Sequence, residues 1–142
     1  MLQSQILAHF QEQADRLVSG QLDGMGAMFA LPLPIHFPSG MTIVLDPDAG
    51  QGILRQMSQE LQKRGTVAAR PEITAVELPK QGRFRVWIDW KETNAAGVEV
   101  TGSSILYFCR KVPTGLQTEM IQYLHVLAPG MVTDETRIAR SA

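Results

Sequence analysis

RFRVWIDWKET, residues 83–93, sets Phe84, Val86, Ile88 and Trp90 against Arg83, Arg85, Asp89 and Lys91. A period of two puts the first set on one face of a strand and the second on the other, with Trp87 as an exception on the outer side. The same period runs through 72–79, 98–111 and 117–127. Lys80-Gln81-Gly82, Asn94-Ala95-Ala96-Gly97 and Pro113-Thr114-Gly115 separate these runs with turn-forming residues, so four strands joined as antiparallel hairpins are expected.

Upstream of Thr66 the apolar spacing is helical. Leu2, Ile6, Phe10, Leu17 and Val18 mark one face of a helix over residues 3–19, which Gly20 can close in a left-handed cap. Leu22–Ala30 predicts a second, short helix that Pro32 and Pro34 forbid from continuing. Asp46-Pro47 supplies an N-cap followed by a proline in the first helical position. The third helix runs from there to about Arg64, with Ile53, Leu54, Met57 and Leu61 on its buried side and Gly65 as its stop. Helices first and a meander second predict an α+β fold.

A chain of 142 residues, 44% hydrophobic and 19% charged, is suited to one domain with a real core. The expected boundaries are a single domain over 1–132 and a loose tail over 133–142, where apolar content falls away. Thirteen basic against fourteen acidic side chains, without a basic cluster, argue against nucleic acid as a partner. No apolar run approaches the roughly 20 residues of a membrane helix, and the first residues lack a signal peptide's pattern, so no membrane partner and a cytoplasmic location are expected. The single cysteine, Cys109, lies in the strand-like SILYFCR and reads as a buried, inert thiol. His9, His36 and His125 are scattered, and Gly24 and Gly26 lack the strand and the Lys-Ser/Thr of a phosphate loop. Neither a metal nor another cofactor is expected.

Gly20-Gln21-Leu22-Asp23-Gly24-Met25-Gly26-Ala27-Met28-Phe29-Ala30 resembles a motif of the nuclear transport factor 2-like superfamily, closest to ketosteroid isomerase and polyketide-cyclase-like relatives. The resemblance implies three N-terminal helices packed in the hollow of a curved, mainly antiparallel sheet, a cystatin-like cone. It also implies where an isomerase would keep its chemistry. The base position falls on Phe37, the oxyanion-stabilising tyrosine of the first helix on Gln13, a second pocket tyrosine on Met57, and the protonated acid on Leu106. Phe37 and Leu106 can neither carry a proton nor donate to an enolate, so the resemblance supports the fold and argues against that reaction.

With Leu106 as the anchor, Val98, Val100, Ser104 and Phe108 share its inward face, and Met120, Gln122, Leu124 and Val126 follow in the last strand. The expected pocket lining is Gln13, Phe37, Met57, Trp90, Leu106, Phe108, Met120 and Gln122, largely apolar with isolated polar groups. This favours a small-molecule-binding domain holding a small apolar ligand, without an identifiable catalytic acid pair. One alternative is a cofactor-free isomerase, cyclase or lyase using His36 as base, with Gln13 or Gln122 as hydrogen-bond donor. Another is an accessory protein-interaction domain. In this phase Trp87, Ile105, Tyr107, Cys109, Ile121, Tyr123, His125 and Leu127 point outward, too much apolar surface for water, so a homodimer through Trp87, Ile105, Tyr107, Tyr123 and His125 is expected.

Overall fold

The computed structural model describes residues 2–125 and 137–139. In chain order it contains α1 (Leu2–Ser19), a 3₁₀ turn (Met25–Met28), β1 (Leu33–Phe37), β2 (Gly40–Val44), α2 (Pro47–Lys63), β3 (Thr66–Val76), β4 (Arg83–Asn94), β5 (Glu99–Val112), β6 (Gly115–His125) and β7 (Arg137–Ala139). Among the described residues the strands form one sheet in the order β3-β4-β5-β6-β1-β2-β7. The β1–β6 and β2–β7 pairs are parallel and the other neighbours antiparallel, so the class is α+β with a mainly antiparallel sheet.

Two α-helices are present among these residues, not three. Where the second was expected, Gly24 adopts a left-handed φ of 82° and only Met25–Met28 winds, as a 3₁₀ turn. Glycines at 24 and 26 remove the propensity that a longer helix would need, and Met25 is left as a fully buried plug. By contrast α2 starts as its sequence dictates, with the Asp46 carboxylate accepting from the Ala49 N–H at 2.9 Å and Pro47 in the first turn. The Ser58 hydroxyl donates to the Leu17 carbonyl at 2.7 Å and pins α2 to α1.

The β1–β2 hairpin was hidden by its prolines. β1 pairs with β6 only at Ile35 and His36, so Pro34 precedes that ladder. Similarly β3 begins at Thr66 rather than at residue 72, because an edge strand tolerates Pro71. Bulges at Thr66/Ala68 and Ile73/Ala75 in the β3–β4 pair, and at Ser104/Ile105 and Phe108/Cys109 in the β5–β6 pair, increase local twist and bend the sheet. Within the stretch expected as a loose tail, Arg137–Ala139 instead pair with Thr42–Val44 of β2. The rest of that stretch, and the expected boundary at residue 132, lie outside the described residues.

Phe84, Val86, Ile88 and Trp90 are buried against α1 in the phase the alternation dictates. Their register then corrects the phase of the next two strands. Phe84 pairs with Cys109, Val86 with Tyr107 and Ile88 with Ile105, which brings Ile105, Tyr107 and Cys109 to the helix-covered face. Tyr107 pairs with Ile121 and Ile105 with Tyr123, carrying the phase into β6. Leu106 and Phe108, opposite Trp87 and Arg85, therefore face the other way, and Val98 and Val100 are 53% and 49% exposed rather than interior. Five successive apolar residues, Ile105 to Cys109, offer no alternation to fix the phase, and a one-residue error turns a whole strand over. Val126 and Leu127 lie outside the described residues. No helix among the described residues is long and apolar enough to cross a membrane.

Candidate functional site

The helices do not fill the hollow of the sheet. A cavity of about 170 Å³ lies under Phe29, Leu33, Ile35, Val44, Leu54 and Ile121, and a smaller one of about 80 Å³ lies beside Leu61, Ala69, Trp90 and Ile105. Gln13, Leu17, Met57, Tyr107 and Tyr123 line both, which makes these five residues a neck between two chambers. The larger chamber is apolar. The smaller one ends at Glu60, Arg64, Glu92 and Ser103, a polar mouth between the end of α2 and the sheet.

The neck has a defined hydrogen-bonding order. Trp90 Nε1 donates to the Tyr107 hydroxyl at 2.8 Å, and Gln13 lines the same two chambers beside it. Phe10 packs on Tyr107 with ring centroids 4.6 Å apart and closes its other side. Burial, assisted by neighbouring Tyr123, pushes the Tyr107 pKa well above the ordinary tyrosine value, with the Trp90 bond and Gln13 opposing. Tyr123, stacked on Phe37 at 4.8 Å, is pushed up to about 12 by burial, with Arg64 opposing. Both phenols are therefore neutral at physiological pH. Gln13 is 3% exposed, and no described residue donates to its Oε1. An unpaired buried acceptor of this kind costs about 1–3 kcal/mol.

At the mouth, Glu92 is 5% exposed and fully engaged. Arg64 donates through Nε and Nη2 to its two oxygens, each at 2.8 Å, and the Thr66 hydroxyl adds a bond of 2.7 Å to Oε1. Burial is the largest influence on this carboxyl and acts to raise its pKa, but the Arg64 and Thr66 bonds together hold it below the ordinary value of 4.5. Gly102 makes room for it, since a Cβ there would lie 2.8 Å from Glu92 Oε2 and 3.2 Å from the Trp90 carbonyl. A carboxylate so fully bonded is poorly suited to abstract a proton.

Of the residues expected to line a pocket, Gln13, Met57 and Trp90 do so. Phe37 supports the neck from behind Tyr123 without lining either chamber. Leu106, Phe108, Met120 and Gln122 belong to the opposite face, and Ile105, Tyr107 and Tyr123, expected outside at a dimer contact, belong inside. His36 alternates with Ile35 and Phe37 and pairs with Gln122 and Met41 on the convex side, so its imidazole cannot act as a base in the cavity. Trp87 keeps its outward position, and His125 is exposed at the end of β6. Asp89 and Glu119 also lie off the cavity, the latter paired with Arg83 at 3.0 Å. The sequence reading missed Glu92, although it continues the phase of Phe84, Val86, Ile88 and Trp90 by one step. It also missed Arg64, whose partner comes from another element. Among the described residues no three His, Cys, Asp or Glu side chains converge as metal ligands. Burial pushes the Cys109 thiol up to about 12, against the Thr118 hydroxyl, which leaves it unreactive.

No family model and no curated protein matches the chain. Solved structures do. An NTF-2 like protein of unknown function from Shewanella oneidensis superposes with a TM-score of 0.63 at 11% identity, covering 87% of this chain and 98% of that one. A domain of unknown function with a cystatin-like fold from Nostoc punctiforme gives 0.62 at 18% identity, covering 88% and 77%. ActVI-ORFA from Streptomyces coelicolor gives 0.59 at 17% identity, covering 87% and 94%. Identities this low speak for architecture and not for chemistry. The chain has the cone-shaped fold of the nuclear transport factor 2-like superfamily.

Proposed function

We propose that this protein is a small-molecule-binding domain whose ligand is largely apolar and lies between the helices and the concave face of the sheet. The two-chambered cavity carries this reading. Apart from the polar mouth at Glu60, Arg64, Glu92 and Ser103, its walls are mainly aliphatic and aromatic with Gln13 and Tyr107 as polar groups at the neck, a usual composition of a ligand site. Glu92 is held by Arg64 and the phenols are held neutral, which favours binding over acid–base catalysis. Native mass spectrometry of purified protein should reveal a bound apolar molecule, and 4-propyltoluene should bind saturably by calorimetry. Met57→Trp, which fills the neck, should abolish both while leaving the circular dichroism spectrum intact. Wild-type protein with neither bound mass nor saturable binding would sink the reading.

We also propose that two copies pair through the convex face. Trp87, Phe108 and Met120, half-buried around the already buried Leu106, form an apolar strip there, beside the ion pairs Arg83–Glu119 and Arg85–Glu77. The Arg85 guanidinium lies 5.2 Å from the Trp87 ring centroid and edges the strip with charge. A two-fold arrangement would cover the strip with its own copy. Light scattering should give a dimer mass that Phe108→Glu halves, because a charge there would be desolvated without a partner. A monomeric wild type at micromolar concentration would refute it.

A further inference from the structure

The neck between the chambers specifies more of the ligand than its apolar character. The Tyr107 oxygen already accepts from Trp90 Nε1, so its own hydrogen must be directed away from the indole. Gln13 Oε1, in turn, is buried with no donor from any described residue. Both side chains line both chambers. The cavity thus offers one donor and one acceptor side by side at its waist, among apolar walls. A hydroxyl group is complementary to such a pair, since its oxygen accepts one hydrogen bond while its hydrogen makes another.

Charge is the second constraint. The guanidinium at the mouth, Arg64, spends Nε and Nη2 on Glu92, so a ligand anion would face a carboxylate already in place. At the neck an anion would lie against the lone pairs of Gln13 Oε1, which favour a proton and repel a negative oxygen. A cation would be taken out of water into a chamber that provides no carboxylate at the neck.

Resting on the ligand-binding reading above, we propose that the ligand is an uncharged apolar molecule bearing a hydroxyl group, which donates to Gln13 Oε1 and accepts from the Tyr107 hydroxyl. Its apolar body occupies the chamber under Leu33, Ile35 and Val44. Gln13 and Tyr107 are then specificity-determining residues, and no bond is made or broken.

Three matched probes test this by calorimetry on the full chain: 4-propylphenol, 4-propyltoluene and 4-propylanisole. They share a ring and a tail and differ in offering a donor and an acceptor, neither, or an acceptor alone. The phenol should bind at least about tenfold more tightly than either other probe, because a site built around a hydroxyl leaves its own polar groups unpaired with an analogue that lacks one. Gln13→Leu should erase the preference of 4-propylphenol over 4-propyltoluene, with Gln13→Met as the alternative variant of closer shape. Equal affinities for phenol and toluene in the wild type would overturn the inference and leave the ligand-binding reading standing. So would a phenol preference that survives Gln13→Leu. An anisole that matches the phenol would show that the neck presents only donors, with the Gln13 amide turned the other way round, and would overturn it equally. Absence of binding by all three probes would overturn the ligand-binding reading and this inference with it.

Discussion

Trp90→Ala is expected to lower the unfolding free energy by about 3–5 kcal/mol, the usual cost of removing a large aromatic side chain from a core. The indole is 9% exposed, packs towards Phe10 with ring centroids 6.5 Å apart, and provides the donor to Tyr107. Its loss therefore opens a void next to an existing cavity and removes a buried hydrogen bond in one step. Phe108→Ala is the informative comparison, because Phe108 is an aromatic residue on the convex side of β5 and does not belong to the helix-covered core cluster. Urea titrations at equal protein concentration should show a clearly larger midpoint shift for Trp90→Ala at unchanged slope. A larger shift for Phe108→Ala would mean that the sheet had been read with its faces exchanged.

Glu92→Ala should cost about 3 kcal/mol, near the lower end for breaking a buried ion pair because Arg64 retains some contact with water. The variant leaves a guanidinium and the Thr66 hydroxyl without their acceptor. Gly102→Ala should give a related defect by a different route, since its methyl group would press on Glu92 Oε2 and on the Trp90 carbonyl. The pH dependence has a defined sign. The folded-state pKa of Glu92 is depressed, so its contribution is complete above the unfolded value near 4.5 and is lost as the pH falls through the folded value. Wild-type stability should therefore fall below pH 4.5 more steeply than that of Glu92→Gln. Parallel acid limbs for the two proteins, measured by chemical denaturation across pH, would show that the pair is not coupled to folding.

The parts of the fold legible in the sequence are those where one chemical signal acts alone. β4 alternates charge with bulk, and α2 has a cap, a proline and an apolar face that agree. β5 and β6 were legible as strands but not as faces, because Ile105 to Cys109 are apolar throughout and the phase comes from hairpin register and bulges. Register propagated from β4 would have identified Tyr107 as interior, since it lies opposite Val86. The anchor at Leu106, taken from a resemblance, set the phase one residue away. β1 and β2 were obscured by prolines whose tolerance depends on which neighbour each strand meets, and sequence does not specify neighbours. At the site, Gln13 and Met57 were found through the resemblance and Trp90 through periodicity. Arg64 and Glu92 were missed because an ion pair across 28 positions has no local signature.

The two ends of the sheet decide whether the molecule can grow. An unpaired strand edge is a template for a strand from another chain, the first step towards fibrous assembly. At one end β3 presents Arg70, Pro71 and Glu72 and carries two bulges, so a flat incoming strand meets charge, a missing donor and a broken ladder. At the other end Arg137–Ala139 of β7 pair with Thr42–Val44 and so already occupy that stretch of the rim of β2. Among the described residues the β3 edge is thus blunted by charge, proline and bulges, and the β2 rim is taken up by the chain's own strand.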